Sequence, residues 1–208
     1  MFTQNPKAVS SSPNNILSAA PVWRVGVLLL FCAALFAGCG GGDSDPKLAK
    51  ALADMESPDE LTRSVGIDAL AGMGEKAKPH TDKVAALLKD TSPEARSLAA
   101  LLLGIWGHSS PEVVQELSAM AAGDEDADAR AGALQTLSKL GANDEFAKVV
   151  KGILAGDDAN LKSETLMTIG ESTSKESVTT VKAELEAIAS GSDKGLAADA
   201  KIALEMIE

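Results

Sequence analysis

Apolar residues recur with the spacing of an α-helix through most of the chain after residue 46. In one segment they are Ala95, Ala99, Leu102, Leu103 and Trp106. These stand at i, i+4, i+7, i+8 and i+11 and therefore share one helix face. Similar stripes begin near residues 62, 129, 161 and 196. Each of the five stripes follows a shorter helical segment, and these segments lie near 47–55, 81–88, 111–122, 144–154 and 175–190. The pattern predicts five helix pairs without a sheet, an all-α fold with Trp106 inside the second pair.

Glycines, aspartates and basic residues recur along these segments with nearly one period. Gly74, Gly107 and Gly141 each end an amphipathic segment and lie 33 and 34 residues apart. Two further series keep a similar spacing, namely Asp90, Asp124, Asp157 and Asp193, and Arg63, Arg96, Arg130 and Lys162. A fixed period in this range is the signature of a repeat architecture. The sequence therefore predicts an α-solenoid of about five antiparallel helix pairs.

The segment 91–104 reads Thr-Ser-Pro-Glu-Ala-Arg-Ser-Leu-Ala-Ala-Leu-Leu-Leu-Gly. It resembles the second half of a HEAT repeat, of the short kind also found in phycobilisome lyases, and segments 124–141 and 157–170 have the same layout. The resemblance extends over about residues 46–208 and is specific for fold rather than for function. The chain departs from the pattern at Thr62, Gly66 and Ala197.

The resemblance also implies a polar ladder, in which acids of the turns and bases of the helices tie neighbouring repeats together. The residues that fit this role are Asp90 with Arg96, Asp124 with Arg130, and Asp157 with Lys162. An acidic binding ridge is the alternative for these residues. Exposed charge runs are usually solvated faces, so the structural role is favoured.

An uncharged, almost wholly apolar run occupies residues 25–38, between Arg24 and Cys39. Its 14 residues are fewer than the roughly 20 that span a bilayer. A charged flank, a short apolar stretch and small residues before a cut site are typical of a secretory signal peptide. The cysteine directly after them makes the segment resemble a bacterial lipoprotein signal, which implies a lipid on Cys39. An uncut N-terminal anchor is the alternative.

This interpretation divides the chain into three parts. Residues 1–38 are a signal peptide with a long leader, residues 39–46 a lipidated cysteine with a flexible Gly-rich linker, and residues 47–208 the repeat domain. The predicted location is the bacterial cell envelope, with the protein lipid-anchored to a membrane and facing the extracytoplasmic side. Gly40 follows the cysteine, which resembles an outer-membrane sorting signal.

Charge and composition narrow the classes of partner. Only two of the 19 Lys and Arg residues and none of the 30 Asp and Glu residues precede Cys39, so 17 basic and 30 acidic side chains remain, a net charge of −13. Nucleic acid is excluded as a partner because phosphate binding needs clustered Lys and Arg. Only Trp106 and Phe146 are aromatic in this part, which excludes aromatic cages and base-stacking platforms.

No catalytic motif accompanies the repeats. His80 and His108 are the only histidines and stand in loops without a second ligand beside them. Asp124, Asp126 and Asp128 begin like a calcium loop, but Ala129 takes the place of its glycine and its closing acid is also missing. We therefore expect no metal and no cofactor beyond the lipid on Cys39.

The function predicted is that of a non-enzymatic scaffold or adaptor for protein–protein interaction; a HEAT-like lyase-type or metal-dependent enzyme is the alternative. Leu101, Ile105 and Met167 lie outside the core stripes of their helices and are the candidates for partner contact. The competing interpretation, that neighbouring repeats bury these three side chains, is favoured because inner repeats have packed faces on both sides. The partner would be a protein, basic in character because of the negative charge of this chain.

Overall fold

The computed structural model describes residues 45–207, so the predicted signal peptide and Cys39 lie outside the described residues. Within residues 45–207 all regular structure is helical and there is no strand. Eleven α-helices follow one another in this part of the chain: α1 (Pro46–Met55), α2 (Glu60–Met73), α3 (Thr81–Ala86), α4 (Pro93–Trp106), α5 (Pro111–Gly123), α6 (Ala127–Lys139), α7 (Asn143–Ala155), α8 (Ala159–Ser172), α9 (Lys175–Thr179), α10 (Lys182–Ala189) and α11 (Lys194–Glu205). Short 3-10 turns at Gly74–Lys76, Lys78–His80 and Leu87–Lys89 flank α3.

The helices form five successive pairs, α1/α2, α3/α4, α5/α6, α7/α8 and α9–α10/α11. The second helix of each pair packs on the second helix of the next, in the order α2, α4, α6, α8 and α11. The predicted α-solenoid of five helix pairs is confirmed. None of the helices in residues 45–207 is both long and apolar enough to cross a bilayer.

Local capping signals set the ends of these helices. Ser92 and Ser110 accept hydrogen bonds from the backbone N–H groups three residues later, just before prolines that begin α4 and α5. At the other end of α4, Gly107 has φ 69° and the His108 N–H donates to the Leu103 carbonyl at 3.0 Å. This left-handed cap favours glycine because a Cβ would be strained there. Gly141 ends the next second helix in the same way.

The first helix of the fifth pair differs from the prediction. One helix was expected over 175–190, but the chain forms α9 and α10 with a break at Thr180–Val181. Val181 has φ −119° and ψ 12°, outside the helical range. The run Val178-Thr179-Thr180-Val181 is wholly β-branched, which weakens helix propensity. Both valines are fully buried, so packing fixes the bend.

The core is continuous through the stack and consists mainly of Leu, Ile, Val and Ala side chains. Trp106 is buried within it at 7% exposure. In the first pair, a Cβ added to Gly66 would lie 2.4 Å from the Met55 nitrogen. The departure of Gly66 from the repeat pattern therefore has a physical reason, because α1 and α2 touch at their backbones at that point.

Candidate functional site

The three apolar candidates for partner contact are all exposed. Leu101 is 38% exposed, Ile105 57% and Met167 53%. The competing expectation that neighbouring repeats bury them is wrong. The second helices pack on one another through small and hydroxyl side chains on a different side. Thr136, for example, donates to the Ala100 carbonyl at 3.0 Å.

These residues share one position on successive helices. The residue nine places after each N-cap is Asp68, Leu101, Gln135, Met167 or Ile202 in α2, α4, α6, α8 and α11. The same helix side also carries Ile105 and, in α2, the exposed Leu61 and Val65. Sequence reasoning missed Leu61, Val65 and Ile202, although counting from the N-caps would have found Ile202. We call the set Leu61, Val65, Leu101, Ile105, Gln135, Met167 and Ile202 the second-helix face.

Two depressions lie on the second-helix face and share Leu101 and Gln135. The first has a volume of about 440 Å³ and includes Ile105 and Lys139, together with several hydroxyl side chains. The second, of about 560 Å³, has an acidic rim that Glu94, Asp126 and Asp128 form. The face thus changes from acidic at the start of the helices to apolar in their middle.

A ladder of guanidinium groups runs along the turns, but its pairing differs from the expectation. Arg63 donates to the carboxylate of Asp90 at 2.6 Å, and Arg96 donates to both oxygens of Asp124 at 2.6 and 2.8 Å. Each arginine therefore reaches the acid of the following repeat. Within one turn the contact goes to the backbone: Nη1 of Arg96 donates to the Asp90 carbonyl at 2.8 Å, and Nη1 of Arg130 to that of Asp124 at 2.6 Å. The expected contacts of Arg96 with the Asp90 carboxylate and of Arg130 with the Asp124 carboxylate are therefore wrong, because each arginine binds the backbone carbonyl of that aspartate.

The third step of the ladder uses a residue that sequence reasoning missed. Arg130 donates to both oxygens of Glu164, at 2.8 and 2.5 Å. Within the described residues neither Asp157 nor Lys162 forms an ion pair, so that predicted step is wrong. Asp90 and Asp124 stand two residues before their N-caps, whereas Asp157 directly precedes its N-cap Asp158 and is out of register.

The ladder does not reach the fifth repeat. Ala197 takes the position that Arg96 and Arg130 hold in their repeats, four residues after the N-cap, and is buried. Ser163 and Asp199 form a hydrogen bond of 2.7 Å between α8 and α11 instead. Because each arginine reaches forward, the step between the fourth and fifth repeats would belong to Lys162, which forms no ion pair within the described residues.

The ladder carboxylates are electrostatically stabilised in their charged form. Burial raises the pKa of Asp90 and Asp124, but hydrogen bonds from Arg63 and Arg96, and from the backbone amides two residues on, outweigh it. The pKa of both carboxyl groups therefore lies below its ordinary value. The hydrogen bond to Asp124 likewise raises the pKa of Arg96 despite burial. All these groups remain charged at neutral pH and serve packing between repeats.

Candidate metal ligands do not cluster within residues 45–207. Over residues 45–207 no three or more His, Cys, Asp or Glu side chains come together in a way that could hold a metal ion. Asp126, which the sequence placed at the start of a calcium-like loop, caps α6 by accepting from the Ala129 N–H at 3.0 Å. The acids of this turn therefore serve a helix start and the ladder.

Three solved structures show how far the likeness to known proteins extends. An engineered protein from the Northeast Structural Genomics Consortium has 16% identity and a TM-score of 0.46, with 77% of this chain and 78% of that chain covered. A designed armadillo repeat protein has 14% identity and a TM-score of 0.27, with 77% and 100% covered. The complex of CpcE and CpcF of phycocyanin lyase from Nostoc sp. PCC7120 has 14% identity and a TM-score of 0.24, with 82% and 97% covered.

Comparison with protein families assigns the chain, although no curated protein matches it as a relative. HEAT repeats, however, match residues 46–138 and 81–170, which together make up more than half of the 208 residues. The period of the helix pairs and the stacking of their second helices agree with that match. The chain belongs to the HEAT-repeat family.

Proposed function

We propose that this protein is a non-enzymatic interaction scaffold whose second-helix face binds a partner protein. The observation that carries the proposal is an exposed apolar side chain at the same position of three of the five second helices, namely Leu101, Met167 and Ile202. Repeat solenoids present extended surfaces to partners, and grouped exposed apolar residues mark such surfaces. In the packed stack Leu101 is still 38% exposed, Met167 53% and Ile202 54%.

The charge of the surface suggests the chemistry of the partner. Glu94, Asp126 and Asp128 rim the depression beside Leu101. A partner segment with an apolar side chain for Leu101 and a nearby Lys or Arg for this rim would match both features. The net charge of −13 after Cys39 favours a basic partner in the same way.

The proposal includes a lipid anchor at the bacterial envelope. Its support is the sequence alone: the apolar run at 25–38, the small residues before Cys39 and the glycines after it. A lipid on Cys39 would hold the scaffold at a membrane on the extracytoplasmic side, with Gly40–Gly42 as a flexible tether. The outer membrane is the proposed site because Gly40, not Asp, follows the cysteine.

A cross-linking pull-down with the full chain tests the scaffold role. We expect the wild type to recover a specific protein, and Leu101→Ser/Ile105→Ser to recover at least tenfold less at unchanged stability, since both side chains are exposed. Ala187→Ser, an exposed change on α10, is the matched control. Equal recovery by the double variant contradicts the proposed surface. A stoichiometric metal or chromophore, measured by elemental analysis and absorption, contradicts the non-enzymatic role.

A further inference from the structure

The first helices of the stack are bridged by ion pairs at all but one junction. Lys–Glu pairs join the C-cap of α1 to α3, the 3-10 turn after α3 to α5, and α7 to α10, with N–O distances of 2.5, 2.7 and 3.1 Å. They are Glu56–Lys83, Lys89–Glu116 and Lys151–Glu184. Within residues 45–207 no ion pair joins α5 to α7. This junction therefore lacks the ion pair that the other junctions of the first helices carry.

A groove of about 750 Å³ lies at that junction. Val114, Val149 and Ile153 contribute apolar surface, and Ala119 and Gly152 are among the small residues of its walls. Glu145 and Lys148, near the start of α7, are charged residues of the lining. A Cβ added to Gly152 would meet nothing within 4 Å, so the groove is open at its middle. It lies between first helices and is separate from the second-helix face.

The lining of the groove has helical spacing on both walls. On α5 it includes residues 111, 114, 115, 118, 119 and 122, and on α7 residues 145, 148, 149, 152, 153 and 156. Each wall is therefore about three turns long, or roughly 16 Å. Small side chains at Ala119, Ala122, Gly152 and Gly156 let a bound backbone approach closely.

One end of the groove is electronegative. α5 and α7 hold equivalent places in successive repeats, so their C-terminal ends, with free carbonyl groups, lie on the same side. Asp157 and Asp158 line the groove at that end and are exposed. Asp158 caps α8 by accepting from the Asn160 and Leu161 N–H groups, whereas Asp157 forms no ion pair within the described residues. Helix C-termini and carboxylates together favour a cationic group.

We propose that this groove binds an amphipathic helix of a partner protein, with an apolar stripe about three turns long and Lys or Arg at the end beside Asp157. A helix satisfies its own backbone hydrogen bonds. An extended segment would have to find partners for its N–H and C=O groups in a lining whose uncharged polar side chains are Gln115 and Ser118. An amphipathic helix bound in the groove would match both the apolar character of the walls and the helical spacing of their residues. The site does not depend on the second-helix face, so either can fail without the other.

The test uses the purified full chain and labelled 14-residue peptides, with binding measured by fluorescence anisotropy. The probe peptide carries a Leu/Ala stripe at helical spacing and three Lys residues at one end. We expect saturable binding, and at least tenfold weaker binding to Gly152→Phe, which fills the groove. Gly72→Phe is the matched control because Gly72 is also helical with open space around it, but lies on α2. Asp157→Lys should weaken binding at least fivefold at low salt.

Three further measurements decide between occupants. The peptide should become helical on binding by circular dichroism, and a version with a central proline should not bind. Equal binding of the proline peptide contradicts a helical occupant, and equal binding by Gly152→Phe, or no binding at all, contradicts the groove. A dimer in light scattering that Gly152→Phe dissociates would identify a second copy of this chain as the occupant and overturn the proposal.

Discussion

Arg96 holds Asp124 across the boundary between the second and third repeats with two hydrogen bonds, one to each carboxylate oxygen. The remaining terminal nitrogen of the same guanidinium donates to the carbonyl of Asp90. Side chains of Arg96 and Asp124 are only 10% and 9% exposed. One side chain therefore fixes the turn of its own repeat and that of the next, which a lysine cannot do because it lacks the planar fork.

Removal of this guanidinium should strongly destabilise the fold. Arg96→Ala leaves the Asp124 carboxylate buried without its partner, and we expect a loss of about 3 kcal/mol in the free energy of unfolding, measured with urea. Arg96→Lys should recover only part of this. Lys50→Ala removes an exposed ion pair with Asp54 and is the control, at less than about 0.5 kcal/mol. A loss for Arg96→Ala as small as that of the control would contradict the structural role of the ladder.

The ladder also predicts acid sensitivity. The pKa values of Asp90 and Asp124 are lowered from 3.8 in the folded state, so their stabilisation is complete above that pH and is lost as pH falls through the folded values. Near neutrality both carboxyl groups stay charged, so the free energy of unfolding should not change with pH on their account. Below about pH 4 they take up protons, and the free energy of unfolding should fall. Asp124→Asn should be less stable at pH 7 and show a shallower acid slope. Identical slopes for both proteins would refute this assignment.

Two glycines of α2 should respond oppositely to alanine. In Gly66→Ala the new methyl group would meet the backbone of α1 at 2.4 Å, and we expect a loss of about 1–3 kcal/mol from overpacking. In Gly72→Ala nothing lies within 4 Å, so the better helix propensity should add about 0.5–1 kcal/mol. Chemical unfolding of both variants measures the contrast. If Gly66→Ala is neutral, α1 and α2 are not in backbone contact.

The lipid anchor is tested at the N-terminus. Cys39→Ser removes the thiol that accepts the lipid, so the protein should leave membrane fractions or accumulate unprocessed. Mass spectrometry of the wild-type N-terminus should find a lipidated Cys39 and no residues before it. Ala33→Ser, within the apolar run, is a control that keeps Cys39. An unmodified mature terminus at another residue would exclude the anchor.

Local signals explain why most of the fold was predictable. Helical periodicity, Ser-Pro starts and terminal glycines act within a few residues, and α4, α5 and α6 begin and end almost where these signals place them. The break at Val181 was not predicted because apolar periodicity continues through it. Only the low helix propensity of the β-branched run from Val178 indicates the bend.

Contacts between repeats were harder to predict. The period identified Arg96 and Asp124 as members of one ladder, but not which of them meet, because that depends on how far successive helices are displaced. Glu164 was missed since it stands on a helix and not in a turn. The exposure of Leu101 and Met167 was equally hard to predict. It depends on which side of each second helix packs against the neighbouring helix, and small residues decide that side.

Lys162 holds the ladder position of the fourth repeat without forming an ion pair in the described residues, and this has a consequence for cooperativity. In a repeat protein, stability is close to a sum of unit and nearest-neighbour terms. The first three boundaries each carry a guanidinium bridge between turns and second helices. At the fourth boundary the second helices are joined by packing of α8 against α11 and the Ser163–Asp199 contact, and the one ion pair among the described residues, Lys151–Glu184, lies between the first helices. The C-terminal unit should therefore open and close on its own, with amide exchange in α11 faster than in α4 and α6. The stack then has a rigid body of four units and one labile end.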